Sequence, residues 1–336
     1  MKMFKKVVAM LLCAATVIVS VGCQAQAPAQ TEAQAAADPS KPFAGKKIGF
    51  AHLTLMDEWC VSVGQSIEDL GKGYGASDVN VQVAEFDLEK QVKDMENFIN
   101  QKYDAIFILT GFTDAIIPTI QQAKDAGIPV VAMDGTIEGD PLVSHIVWDQ
   151  AYTGTVLGDA VADYVEKNLG GKCRIVCLDS KTLEHMACRQ VAFLAQLKKR
   201  LGDANVTIVN DSDCQTREAA MNAITTINEE YDLVYAASDS NAYGAIAGLQ
   251  QKGLTSIPVF ACGGYGKELY DEFTNPNGQL EGSIVIPGSS IAQAAYDQMI
   301  AYFEGKTDIP AHVNCDFYYI SRHDDPEKLK LTKPAD

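Results

Sequence analysis

The feature that most constrains this chain is a rhythm that runs through it twice. Short apolar stretches of strand length alternate with longer stretches whose apolar residues recur at helical spacing. The first set of strand-like runs is Lys47–Leu53, Val79–Phe86, Ala105–Thr110 and Pro129–Asp134. Between the second and third runs, Gln91, Val92, Met95, Phe98 and Ile99 fall on one face of a helix. Ala126-Gly127-Ile128-Pro129 then closes a helix and opens a buried strand. After Val143–Trp148 the rhythm restarts with Arg174–Leu178, Val206–Val209, Leu233–Ala237 and Val259–Ala261. Such alternation implies parallel sheets with helices on both faces. The expected fold class is therefore α/β, with two doubly wound parallel-sheet lobes.

In sheets of this kind, ligands bind beyond the carboxyl ends of the strands. That rule selects the segments Leu53–Trp59, Thr110–Thr113, Asp134–Thr136, Trp148–Gln150, Asp179–Arg189, Asn210–Gln215, Ser238–Asn241 and Gly263–Tyr265.

The N-terminus has a different character. Lys2, Lys5 and Lys6 precede an apolar run from Val7 to Val21, and Ser20-Val21-Gly22 leads directly into Cys23. Charge, a short apolar run and small residues, in that order, mark an export signal. The run is shorter than the roughly 20 residues of a spanning helix. Small residues before a cysteine resemble the bacterial lipobox, with Ser20 standing where Leu is usual. Residues 1–22 are thus expected to be a lipoprotein signal peptide and Cys23 the lipidated mature N-terminus; plain secretion is the competing reading. Residues 23–44, rich in Ala, Gln and Pro, read as a flexible tether.

The formal charge of -17 argues against nucleic acid and against electrostatic docking on anionic lipid. Cys173 and Cys177 lie in one strand-like run, about 13 Å apart, too far for a disulfide. No zinc-like spacing appears, and neither metal nor cofactor is expected.

Three segments, AGIPVVAMDGT (126–136), VSHIVWDQAYTGTVLGDAVADYV (143–165) and LVYAASDSNAYGAIAGLQQKG (233–253), resemble the type 1 periplasmic sugar-binding proteins, particularly the ribose-binding branch. The likeness extends in order and spacing over 46–321. It implies two lobes joined by a three-strand hinge, with crossings near Trp148–Asp149, Ile286–Pro287 and Val313–Asn314. The lobes would be 45–148 plus 287–313 and 149–286 plus 314–330. It also implies a monomer that captures a sugar or sugar-like molecule by hinge closure and delivers it to an ABC permease. A sensor that presents its ligand to a membrane kinase or chemoreceptor is the alternative. The cytoplasmic repressors of this fold carry a DNA-binding segment where this chain has its export signal.

By the same resemblance, Asp134 matches an aspartate that accepts sugar hydroxyls, against a turn cap as the simpler reading. Arg189 matches an arginine that forks onto sugar oxygens, against a solvated helix residue. Trp59 falls at a stacking aromatic, against core packing. Its neighbour Cys60 stands where a second aromatic is usual. Asp57 matches a polar position, Thr110 ends a strand at the same edge, and Trp148 is either cleft wall or hinge packing. Ser238 takes the place of an asparagine, and Asp239 either contacts ligand or caps a helix. Gly135, Gly263 and Ile286 stand where ribose binders place an arginine, an aspartate and a glutamine. The two glycines are expected to leave space for a ligand other than ribose. Glu184 and His185 are the only hint of acid–base chemistry, and no nucleophile elbow or metal cluster accompanies them. The glycines of ACGGYGKEL (261–269) lack the last glycine of a dinucleotide fingerprint. No catalytic residue is assigned.

Overall fold

A computed structural model describes residues 38–333 apart from 136, 138–140, 183 and 215. The expected signal peptide, Cys23 and most of the expected tether lie outside the described residues. In chain order, β1 (Lys47–His52), α1 (Glu58–Gly73), β2 (Asp78–Val83), α2 (Leu88–Asn100), β3 (Ala105–Leu109), α3 (Thr113–Asp125), β4 (Val130–Met133) and β5 (Ser144–Val147) build the first lobe. The second comprises α4 (Gln150–Asn168), β6 (Cys173–Asp179), α5 (Glu184–Leu201), β7 (Val206–Asp213), α6 (Arg217–Thr226), β8 (Leu233–Ala236), α7 (Asp239–Gln251), β9 (Val259–Gly264), α8 (Lys267–Thr274) and β10 (Leu280–Val285). The chain returns to the first lobe with α9 (Gly288–Phe303) and β11 (His312–Asn314), then crosses again to β12 (Tyr318–Ser321).

The two six-stranded sheets run β11-β5-β4-β3-β1-β2 and β12-β10-β9-β8-β6-β7. The same order is used twice, and it places a topological switch point between β1 and β3 and between β6 and β8. All pairings are parallel except β10 with β12. Central strands such as Ala105–Leu109 and Val130–Met133 are buried at every position. Helices covering both faces of a sheet account for their unbroken apolar runs.

Two kinds of strand escaped the apolar pattern. β7 continues past the expected Val209 through Asn210-Asp211-Ser212-Asp213, pairing with Val176 to Asp179. It is an edge strand, so polar side chains there face water and leave no periodic signal. β10, LEGSIV, is a buried strand whose Glu, Gly and Ser interrupt its apolar run, so it goes unnoticed for lack of a continuous apolar signal.

The expected tether also ends too late. Phe43 is fully buried, its N–H donates to the Tyr74 carbonyl at 3.1 Å, and its ring lies 5.2 Å from that of Tyr296. A lone aromatic among Pro, Lys and Ala carries no periodicity, so its burial is invisible in sequence. Among the described residues no disulfide links the cysteines, and six of the seven are buried.

Two glycines of α4 set how closely the helices of the second lobe pack. A Cβ at Gly154 would strike the Arg189 carbonyl, and one at Gly158 would lie 2.8 Å from the Phe193 carbonyl. Glycine at both positions lets α4 lie directly on α5, which fixes the height of Arg189 beneath the second sheet's carboxyl edge.

Candidate functional site

The carboxyl ends of both sheets face a cleft crossed by direct contacts. Glu58 Oε2 accepts from the Glu268 N–H at 2.7 Å, joining α1 to α8, and Trp59 packs against apolar residues of both lobes.

On the first lobe, His52 ends β1 and fixes the start of α1. Its ring is wholly buried, Nε2 lies 2.8 Å from the Cys60 carbonyl, and Nδ1 accepts from the Thr54 N–H at 3.4 Å. Burial holds its pKa below the ordinary histidine value, so the ring is neutral and Nε2–H donates. Asp57 caps α1, with Oδ1 accepting from Cys60 N–H at 2.7 Å. Trp59 follows on the first turn. Cys60 points into the core, so the second aromatic ring is supplied from elsewhere. Trp148 meets Trp59 edge-on, ring centroids 5.6 Å apart at 73°. The indole Nε1 atoms of both are buried and, among the described residues, have no partner.

Asp134 follows β4 with φ +56, a left-handed conformation uncommon for a residue with a side chain. The turn is held from both ends of its backbone. Asp134 N–H donates to the Ile146 carbonyl at 3.0 Å, and the buried His145 donates from Nε2 to the Asp134 carbonyl at 2.8 Å. Asp134 Oδ1 is buried and, among the described residues, has no partner. A strained turn that buries an unsatisfied carboxylate oxygen is an arrangement typical of functional sites. β4 and β5 are neighbours in register, so Asp134 and Trp148 emerge side by side at the same edge.

Thr110, Ser238 and Arg189 each have partners within the protein. Thr110 is turned inward: its hydroxyl donates to Gln91 Oε1 at 2.7 Å and accepts from Phe112 N–H at 3.0 Å. Ser238, not Asp239, caps α7, with Oγ accepting from Asn241 N–H at 3.3 Å. Arg189 is a buried brace, not a solvated helix residue. Its Nε donates to Gln150 Oε1 at 2.6 Å, and Nη1 donates to the carbonyls of Ala237 and Cys262 at 3.0 and 2.6 Å. It ties α4 to the ends of β8 and β9, and among the described residues Nη2 makes no hydrogen bond.

The two glycines leave no vacant space. A Cβ at Gly263, where φ is +135, would lie 2.7 Å from Arg189 Nη1, so the guanidinium already fills that position. A Cβ at Gly135 would lie 2.5 Å from the Thr110 carbonyl, so that turn sits against β3. Ile286 is buried in the apolar cluster that runs between the lobes.

Asp239 opens α7 and is 7% exposed, accepting from Ser240 N–H at 2.7 Å. Burial first, then the Asp57 charge facing it from the other lobe, push its carboxyl up to about 7. Near neutral pH it both donates and accepts. Three residues important to this arrangement carried no individual sequence signal: Gln150, His145 and Glu58. Gln150 and Glu58 both lay in strand-end segments that also held assigned site residues, and neither was given a role; His145 lay in none of those segments.

Residues 48–307 match the periplasmic binding protein domain, and the chain belongs to that family. It is 26% identical over 181 residues to the xylitol-binding protein of Mycolicibacterium smegmatis, covering 53% of this chain and 51% of that protein. It is also 26% identical over 220 residues to the D-xylose-binding periplasmic protein of Escherichia coli K12, covering 58% and 64%. The chain thus spans about half to two thirds of the length of these curated relatives. Among solved structures it resembles the periplasmic binding protein of an arabinose ABC transporter from Shewanella sp. ANA-3, bound to α- and β-L-arabinofuranose. The TM-score is 0.73 at 20% identity, over 84% of this chain and 94% of that one. That likeness shows the two-lobed fold.

Asp239 makes stability depend on pH. The folded protein keeps a proton that the unfolded chain releases above its ordinary value of 3.8, so this group's contribution falls as pH rises from about 4 to about 7. Between pH 5 and pH 8, wild type should lose about 2 kcal/mol more unfolding free energy than Asp239→Asn in urea titrations. Parallel pH dependences in the two proteins would contradict the assignment.

Proposed function

We propose that this protein is an extracytoplasmic receptor that closes on a small, neutral, hydroxyl-rich ligand, a sugar or polyol, and hands it to an ABC permease. The observation that carries the reading is the set of unsatisfied polar atoms in the cleft. Asp134 Oδ1 lacks a donor, and the Nε1–H groups of Trp59 and Trp148 lack acceptors. A buried polar atom left unpaired costs roughly 1–3 kcal/mol. A hydroxyl both donates and accepts, so adjacent hydroxyls satisfy the carboxylate and the indoles together. The apolar faces of the same two rings suit the C–H faces of a sugar. Asp239, close to half protonated at neutral pH, adds a group from the second lobe that suits either role.

The ligands of these relatives support the same class: xylitol, D-xylose and arabinofuranose. Ribose held as in the ribose-binding branch fits poorly. Gly135 has no room for an arginine, Arg189 occupies the space at Gly263, and Ile286 offers no polar group.

The lobes 45–148 plus 287–313 and 149–286 plus 314–330 act as rigid bodies turning about the three crossings. Ligand favours the closed form because only there do both lobes reach it. The protein works as a monomer held at the outer face of the cytoplasmic membrane through lipid on Cys23. The order of lysines, apolar run, small residues and cysteine supports that anchor.

In a thermal-shift screen of pentoses, hexoses and their polyols, at least one compound at 100 times its dissociation constant should add about 2.7 kcal/mol. Asp134→Ala should then weaken its binding more than tenfold by calorimetry. Trp148→Phe, which keeps a ring but deletes the N–H, should weaken it about threefold to tenfold. No stabilisation by any hydroxylated compound would refute the ligand class. In fractionated cells, Cys23→Ala should move the protein from the membrane pellet to the soluble fraction; an unchanged pellet would refute the anchor.

A further inference from the structure

Helix α8 starts without a cap of its own. Gly266 precedes it, has no side chain to offer, and holds φ at +131, a conformation that favours glycine. The first N–H groups of a helix need acceptors, and a carboxylate is favoured because it meets the positive end of the helix dipole. Here the acceptor comes from the opposite lobe, as Glu58 Oε2 accepts from Glu268 N–H at 2.7 Å. α1, which carries Glu58, packs on β1, β2 and α9, whereas α8 packs on β10.

The surroundings are arranged for this approach. A Cβ at Gly266 would lie 2.5 Å from Glu58 Cβ and 2.9 Å from its Cδ, so glycine clears the path. The Glu268 side chain, which would repel Glu58, is held by Arg217 through bonds of 3.0 and 2.8 Å. Arg217 is itself supported over the Tyr243 ring, 4.7 Å from its centroid. Lys267, the cation on the first turn of α8, pairs with Asp271. Glu58 is therefore drawn to the bare helix end and, among the described residues, makes no competing ion pair.

We propose that Glu58 is a closure latch: it caps α8 across the cleft when the lobes are shut, and so sets the fraction of molecules that are closed before ligand arrives. The proposal rests on the lobe-closure reading given above, but it does not depend on which ligand binds. Opening by rigid rotation separates α1 from α8 and returns the helix end to water, so the bond belongs to the closed form alone. An interaction made in only one of two states shifts their ratio by its net strength. A lost helix cap corresponds to a change of about threefold to tenfold in the open-to-closed ratio.

The test is small-angle X-ray scattering on the ligand-free protein, with circular dichroism to show that each variant is folded. The radius of gyration should increase in the order wild type, Glu58→Gln, Glu58→Ala, Glu58→Lys. Gln keeps a neutral acceptor, Ala removes it, and Lys opposes the helix dipole. Glu89→Ala, which removes an exposed carboxylate on the first turn of α2, should scatter as wild type does. Equal radii for wild type and the Ala and Lys variants would overturn the latch, whatever the ligand screen finds. A failed ligand screen with the scattering order intact would instead count against the ligand class.

Discussion

Strands buried on both faces by helices have polar freedom only at their ends, and in this protein those ends meet in one place. The apolar runs of β3 and β4 admit no polar side chain along their length. Asp57, Asp134, Trp148, Arg189 and Asp239 all lie just beyond strand ends, or on helices that begin there. Because both sheets use one strand order, the carboxyl edges of two similar lobes provide the two walls of a cleft. Much of the remaining structure serves to hold those walls.

Within the second lobe, that work falls on Arg189. A guanidinium whose Nε and Nη1 are committed to one side-chain oxygen and two carbonyls converts a charged residue into a brace. Such a bond set is stabilising only while every partner is present, since removal of the arginine strands buried acceptors. Gly263 is the other half of the arrangement, because any side chain there would displace Nη1. Asp134 is held with comparable strictness by His145, whose burial keeps it neutral and therefore able to donate from one nitrogen. The two lobes thus present differently built walls: a strained acidic turn beside two indoles on one side, and a braced strand edge with a part-protonated carboxyl on the other.

How much of this was legible in the sequence follows from the range of the interactions. Periodicity is local, so the central strands and the helices between them stood out, whereas polar β7, glycine-containing β10 and the buried Phe43 did not. Individual site residues could be placed by their position at strand ends and by resemblance. Their partners could not. Arg189 reaches Gln150, Ala237 and Cys262 across separations of 39, 48 and 73 residues, and two of those partners are backbone carbonyls that any residue type would provide. The meeting of Trp59 with Trp148 and of Glu58 with Glu268 likewise depends on how distant segments pack. Glycine proved the most misleading residue type: at 135 and 263 a missing side chain suggested space, while the folded chain fills it with a carbonyl and a guanidinium.

The central claim is that Asp134 Oδ1 and the indole nitrogens of Trp59 and Trp148 are completed by one hydroxylated ligand. A crystal structure of the protein with the sugar or polyol giving the largest thermal shift tests it most directly. The account predicts ligand oxygens within about 3 Å of all three atoms, in a cleft still closed by the Glu58–Glu268 contact. A ligand bound elsewhere, or one in the cleft that leaves those three atoms without partners, would contradict it.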